Sequence, residues 1–112
     1  MKLINFMKIE KEKIMVNHIV AWNIQEQFNE KREEIALEAK NRLESLVNAV
    51  PGIISINVII NEMQSSTVDV TLMCKFETEE ALNAYQVCPK HLEVAKYIKA
   101  HMCNRTCIDY VE

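Results

Sequence analysis

The chain is nearly without glycine. It has one in 112 residues, and only two prolines. That leaves no room for a flexible linker or a low-complexity tract, and no internal repeat is visible. It has no apolar run near the ~20 residues that span a bilayer, so no membrane partner is expected. It has no basic block, and its net charge is −3. A nucleic-acid partner would want clustered Lys and Arg, and is excluded on that ground. Metal-ligand spacing is also missing. Cys103-x-x-x-Cys107 is not a zinc-knuckle pair, and no second close pair completes a four-ligand set. Neither a metal nor another cofactor is expected. The N-terminus has no apolar signal-peptide core, because Lys2, Lys8, Lys11 and Lys13 interrupt it. The expected compartment is the cytoplasm, with four free thiols.

What remains is the composition of one globular domain, 49% hydrophobic and 26% charged. A domain this short buries only about two-thirds of its unfolded surface, so an oligomer interface would add usefully to its stability.

Residues 1–14 read as an N-terminal extension. They are rich in Lys and Glu and follow no sustained period. In a bacterial source, Lys11-Glu12 can be spelled AAG GAG, a ribosome-binding sequence a short spacer before Met15. The reading is that Met15 is the true start, and that the domain runs over 15–112.

Val16 to Asn23 alternates as a strand, with His18, Val20 and Trp22 on one face and Ile19 and Ala21 on the other. Phe28 to Val50 carries apolar residues at three- and four-residue steps and predicts one long helix, ended by Pro51-Gly52. Ile53 to Ile60 is a β-branched strand, with Ile54, Ile56, Val58 and Ile60 on one face. Val68 to Phe76 is a third. Thr78 is a plausible N-cap for a helix through Tyr85. Pro89 disfavours helical geometry at Cys88 but suits the first position of a new helix, which should run to about Lys99. Cys103 to Val111 closes the chain as a fourth strand.

The order is β-α-β-β-α-β with the second helix broken at Pro89: an α+β, ferredoxin-like split βαβ fold with an antiparallel sheet. Helices cover one sheet face. The other should carry Ile19, Ala21, Ile53, Ile59 and Met73, or the residues of opposite parity, depending on register. A monomer would leave that patch in water, so a homodimer closed through the sheet face, a dimeric α/β barrel, is expected.

Chemistry-bearing residues gather at the helix joint. Tyr85, Cys88 and His91 fall within seven residues. At the third position of a helix, His91 sits where the N-terminal field favours neutral imidazole, a possible general base. The Tyr85 hydroxyl, across the break, suits donation to an enolate or alkoxide oxygen. Ordinary packing of both groups is the competing reading. Cys88 is also a candidate nucleophile, without an evident base or oxyanion hole.

Val16-Asn17-His18-Ile19-Val20, Val50-Pro51-Gly52-Ile53, Cys74-Lys75-Phe76-Glu77, Ala81-Leu82-Asn83-Ala84-Tyr85, Pro89-Lys90-His91 and Ile108-Asp109-Tyr110 occur in an order that resembles the stress-responsive A/B barrel (Dabb) family. The resemblance covers Met15 to Glu112. It implies a ferredoxin-like dimer and includes a plant polyketide cyclase with an aldol mechanism. In that relative a Tyr and a His at the helix joint act, and a first-strand His lines the pocket. The matching positions are Tyr85, His91 and His18. Two histidines of the relative are absent, since Cys88 and Val70 stand in their places. The resemblance thus implies a pocket between helices and sheet, lined by His18, Val20, Trp22, Val70, Leu72 and Cys88, with Tyr85 and His91 as candidate catalytic residues. It would take a small apolar, carbonyl-bearing molecule for a lyase-, cyclase- or isomerase-like reaction. The alternatives are a non-catalytic stress or scaffold dimer and, more weakly, a monooxygenase-like dimer of the same fold.

Overall fold

The structure is a computed structural model that describes residues 15–112. The N-terminal extension and the question of the start at Met15 lie outside the described residues.

Strands β1 (Val16–Ile24), β2 (Ile53–Ile60), β3 (Val70–Phe76) and β4 (Met102–Val111) form one antiparallel sheet in the order β2-β3-β1-β4. Helices α1 (Arg32–Glu44), α2 (Glu79–Val87) and α3 (Pro89–His101) connect them and lie over one face. This is the expected ferredoxin-like α+β fold. Among the described residues, no helix is long and apolar enough to cross a membrane.

The single long helix expected over 28–50 is instead three pieces. A 3-10 turn (Glu26–Lys31) precedes α1, and a second (Ser45–Asn48) follows it. The Ser45 hydroxyl donates to the Arg42 carbonyl at 2.7 Å, drawing that carbonyl into a side-chain bond at the point where the turn tightens. The joint at Pro89 is as expected. The Thr78 hydroxyl accepts from Ala81 N–H at 3.1 Å, and α2 ends at Val87. Cys88 is extended (φ −64°, ψ 132°), and Pro89 opens α3.

On β2 the expected face is wrong at its start. Ile53 pairs with Phe76 and Ser55 with Lys75, so a bulge inserts one residue between them. That slip leaves Ile53 packed against the core and turns Ile54 to solvent. The open sheet face therefore includes Ile19, Ala21, Ile59 and Met73, without Ile53. Strand β4 adds Ile108 and Tyr110, both exposed.

The core lies between sheet and helices, where Val20, Val70, Phe76 and Tyr85 are fully buried. The outer edge of β2 is capped. The Lys40 ammonium donates to the Val58 carbonyl at 2.7 Å, and Val58 N–H donates to Glu44 at 2.9 Å. These two α1 side chains occupy backbone groups that would otherwise invite another strand.

Candidate functional site

Between the sheet and α3 lies a partly open cavity of about 510 Å³, within the size range of small-molecule sites. Its apolar wall is built by Val20 and Trp22 of β1, Leu72 of β3, Leu43 of α1 and Leu92 and Ile98 of α3. Alternation along β1 points residues 18, 20 and 22 the same way. His18, Gln86 and His91 supply polar groups to the lining. Lys99 and Arg105 supply charge, and among the described residues no carboxylate takes part. A second groove, of about 580 Å³, runs over the outer surface of α1 and α3. There the Arg42 guanidinium already covers the Tyr97 ring at 4.4 Å and pairs with Glu38.

The helix break brings Tyr85 and His91 together, with ring centroids 4.5 Å apart. His91 lines the cavity; Tyr85 does not, and is 0% exposed. Behind Tyr85 stand Phe76 at 5.3 Å and His18 at 6.5 Å between centroids. Among the described residues, neither Tyr85 Oη nor His91 Nδ1 makes a well-formed hydrogen bond, although both atoms are buried and the Cys74 thiol and Gln86 carbonyl are polar neighbours of these two side chains. Buried polar atoms are seldom left so. Burial pushes the Tyr85 hydroxyl far above the usual phenol range, and the adjacent Cys74 thiol adds to the rise, so Tyr85 stays protonated. The same burial drives the Cys74 thiol up to about 12, which makes it inert. Burial lowers the His91 pKa, against the pull of the Gln86 backbone carbonyl; His18 and Arg105 lower it further. His91 is thus a neutral imidazole at neutral pH.

His18 is 3% exposed. It stands opposite Asp109 in the β1–β4 ladder, and its Nδ1 donates to the Asp109 carboxylate. That pairing orients the ring that forms part of the cavity wall. The Cys107 thiol lies 3.8 Å from both partners. These three residues place donor atoms within 4.8 Å of one another, the donor count of an open metal site. Asp109 and Cys107 both address the same His18 nitrogen, so the trio is not a nucleophile relay, which needs opposite ring nitrogens.

Of the residues expected in the pocket, His18, Val20, Trp22 and Leu72 line the cavity. Val70 does not, because it is fully buried in the core behind the cavity wall. Cys88 does not either. At the helix joint its thiol faces the Ala49 carbonyl at 4.0 Å, away from the lining. Sequence reasoning missed Gln86, Lys99, Arg105 and Asp109. The antiparallel pairing of β1 with β4 is a signal for Asp109, since it sets that residue against His18. Arg105 carries a similar signal, since it alternates with Cys107 and Asp109 onto the face that meets His18 and Val20. The β1–β4 register slips between Ala21 and Asn23, and Asn104 adopts φ 55°. Asn104 is thereby the extra residue of the bulge, while Arg105 keeps the face of Cys107 and Asp109 and lines the cavity.

A comparison with curated protein sequences finds no match. Among solved structures, a dimeric ferredoxin-like protein from Bacteroides fragilis NCTC 9343 is 25% identical, with TM-score 0.78, covering 86% of this chain and 94% of that one. A hydroxynitrile lyase from Passiflora edulis is 16% identical, with TM-score 0.67, covering 88% and 93%. A putative antibiotic biosynthesis monooxygenase from Nitrosomonas europaea is 15% identical, with TM-score 0.69, covering 89% and 90%. At those last two identities the likeness shows the fold alone. The sequence itself matches the Stress responsive A/B Barrel Domain over residues 16–112, and the chain belongs to that family, Dabb.

Proposed function

We propose that this protein is a cytoplasmic homodimer that binds a small, largely apolar carbonyl compound in the cavity between α3 and the sheet, with His91 as general base. One observation carries the reading: a neutral imidazole lines a cavity whose walls are mainly apolar and, among the described residues, free of carboxylates. His91 would accept a proton from the carbon next to the carbonyl. The electrons move onto the carbonyl oxygen, and the proton returns to the product in a lyase-, cyclase- or isomerase-type sequence. Tyr85, held protonated, is the proposed donor to that oxygen. Its hydroxyl is closed off from the cavity in this structure, so the role requires the His91 ring to move aside as the ligand enters. Catalytic hydrogen bonds often tighten only in the ligand complex.

The dimer would close through Ile59, Met73, Ile108 and Tyr110 on the open sheet face, a patch of the kind that marks association surfaces. The dimeric relative from Bacteroides fragilis supports this reading. The four free cysteines suit a reducing compartment.

A second reading, a non-catalytic stress or scaffold dimer, draws support from the complete burial of Tyr85. The two part in D2O. Aromatic and polyketide-like ketones incubated with the protein are followed by NMR for deuterium uptake next to the carbonyl. Uptake that His91→Ala abolishes supports the base. Absence of uptake across compounds that bind would sink the catalytic reading and leave the scaffold.

A further inference from the structure

We infer that the ligand of this cavity carries an anionic end, a carboxylate or phosphate, which Lys99 and Arg105 hold at the cavity lining. The inference rests on the cavity being a binding site and adds the chemical class of what enters.

The walls show charge of one sign only. Lys99 and Arg105 are their charged members, and no acid balances them. Among the other described cations most pair with carboxylates, Lys31 and Lys90 being the exceptions. Arg32 pairs with Asp69, Lys40 with Glu44, Arg42 with Glu38, Lys75 with Glu112 and Lys96 with Glu93. Among the described residues, Lys99 and Arg105 have no such partner.

Lys99 alone would have a plainer explanation. It lies in the last turn of α3, where a cation complements the negative end of the helix. Arg105 has no helix to serve. It belongs to β4, where alternation with Cys107 and Asp109 puts it on the same side as His18, Val20 and Trp22. The guanidinium offers two parallel N–H groups to an oxyanion, a geometry that suits carboxylate and phosphate alike.

The α3 C-terminus works against an anion, because its carbonyls point toward this end. Gln25 blunts that field. Its side-chain amide donates to the Lys99 carbonyl at 3.2 Å and the Met102 carbonyl at 2.9 Å, and its backbone N–H donates to the His101 carbonyl at 2.9 Å. Three carbonyls are thereby occupied, and the end of α3 is pinned to the end of β1. Arg105 is also close enough to His91 to lower its pKa. An anion seated on Arg105 would bring the rest of the ligand against His91.

Trp22, the one tryptophan of the chain, lines the cavity and reports its contents by fluorescence. Decanoate, decyl phosphate and decanamide present the same chain with different ends. The expected result is that both anions bind at least about tenfold more tightly than the amide, the size of one charge-assisted hydrogen bond. The stronger anion identifies the head group. In the double variant Lys99→Met/Arg105→Met the preference should fall to within about twofold, while Lys96→Met, outside the cavity, leaves it intact. Both replaced residues are exposed, and unfolding curves of the variants check that the fold survives. Equal binding of all three probes overturns the anionic end and leaves the cavity reading standing. A preference that survives in the double variant overturns the assignment to these two residues. No binding of any probe overturns both readings.

Discussion

The ring of His91 leans over the ring of Tyr85 at an interplanar angle of 55°, with centroids 4.5 Å apart, yet neither Tyr85 Oη nor His91 Nδ1 makes a well-formed hydrogen bond among the described residues. The two residues lie on either side of the helix break, so the break itself makes the pair. An unpartnered buried hydroxyl costs roughly 1–3 kcal/mol of desolvation. Removing it should therefore be harmless to folding. Tyr85→Phe is expected to leave stability in urea unchanged or to raise it by up to about 1 kcal/mol. Tyr85→Ala, which empties a fully buried aromatic site, should cost about 3–5 kcal/mol. A clear loss of stability in Tyr85→Phe would mean that the hydroxyl has a structural partner, and the case for its function would weaken.

Strand and helix identity were legible because hydrophobic period and punctuation agreed. Thr78 capped its helix and Pro89 split the pair of helices at the expected residue. The misses have separate causes. The two bulges, after Ile53 and at Asn104, each shift the face of the residues beyond them, and neither leaves a glycine to mark it. One shift moved Ile53 off the open face. The other displaced the start of β4, whereas Arg105 keeps the alternation of Cys107 and Asp109 and was readable from it. The division of the first helix at Ser45 escaped notice because the apolar steps continue through Leu46 and Val47 even though the backbone tightens. Site residues from β1 were readable by alternation. Cys88 and Val70 were placed by resemblance, and side-chain direction put both away from the cavity lining.

Gly52 is the one glycine, and its φ is +91°. A Cβ built there would come within 2.7 Å of the Ala81 Cβ. Its carbonyl accepts from Glu77 N–H at 2.8 Å, tying the turn before β2 to the end of β3. Gly52→Ala therefore suffers both an unfavourable backbone and a clash with the first turn of α2. A loss of roughly 1–3 kcal/mol is expected, read as a lowered urea midpoint. A neutral result would show that α2 can back away from the turn.

The pH dependence of stability should carry the mark of His91. Burial lowers its folded pKa, so the folded state binds its proton less readily than the unfolded chain, whose value is about 6.5. Above that pH both states are neutral and the contribution is complete. As pH falls through about 6.5 the unfolded state takes up the proton first, and stability declines until the folded pKa is passed. His91→Gln removes this term. Its unfolding free energy should fall less than that of the wild type between about pH 7 and pH 5. Parallel profiles would mean that His91 is as solvated in the native state as in the unfolded chain.

The open sheet face gives a test of assembly that is separate from the cavity. Ile59 and Ile108 are 53% and 57% exposed, on β2 and β4, at opposite edges of the sheet. Both point away from the helices, so charge at either position needs no rearrangement of the core. In a face-to-face dimer each would be buried, and an unpaired charge there would be costly. Ile59→Lys and Ile108→Glu should each shift the protein from dimer to monomer in gel filtration with light scattering. Their far-UV circular dichroism should stay that of the wild type, because the helix-side core is untouched. Combined in one chain, the two substitutions could re-pair across the interface only if β2 of one copy faces β4 of the other. Recovery of the dimer in the double variant would therefore fix the relative orientation of the sheets. A wild-type protein that runs as a monomer at high concentration would remove the proposed interface altogether and leave the exposed isoleucines to another partner.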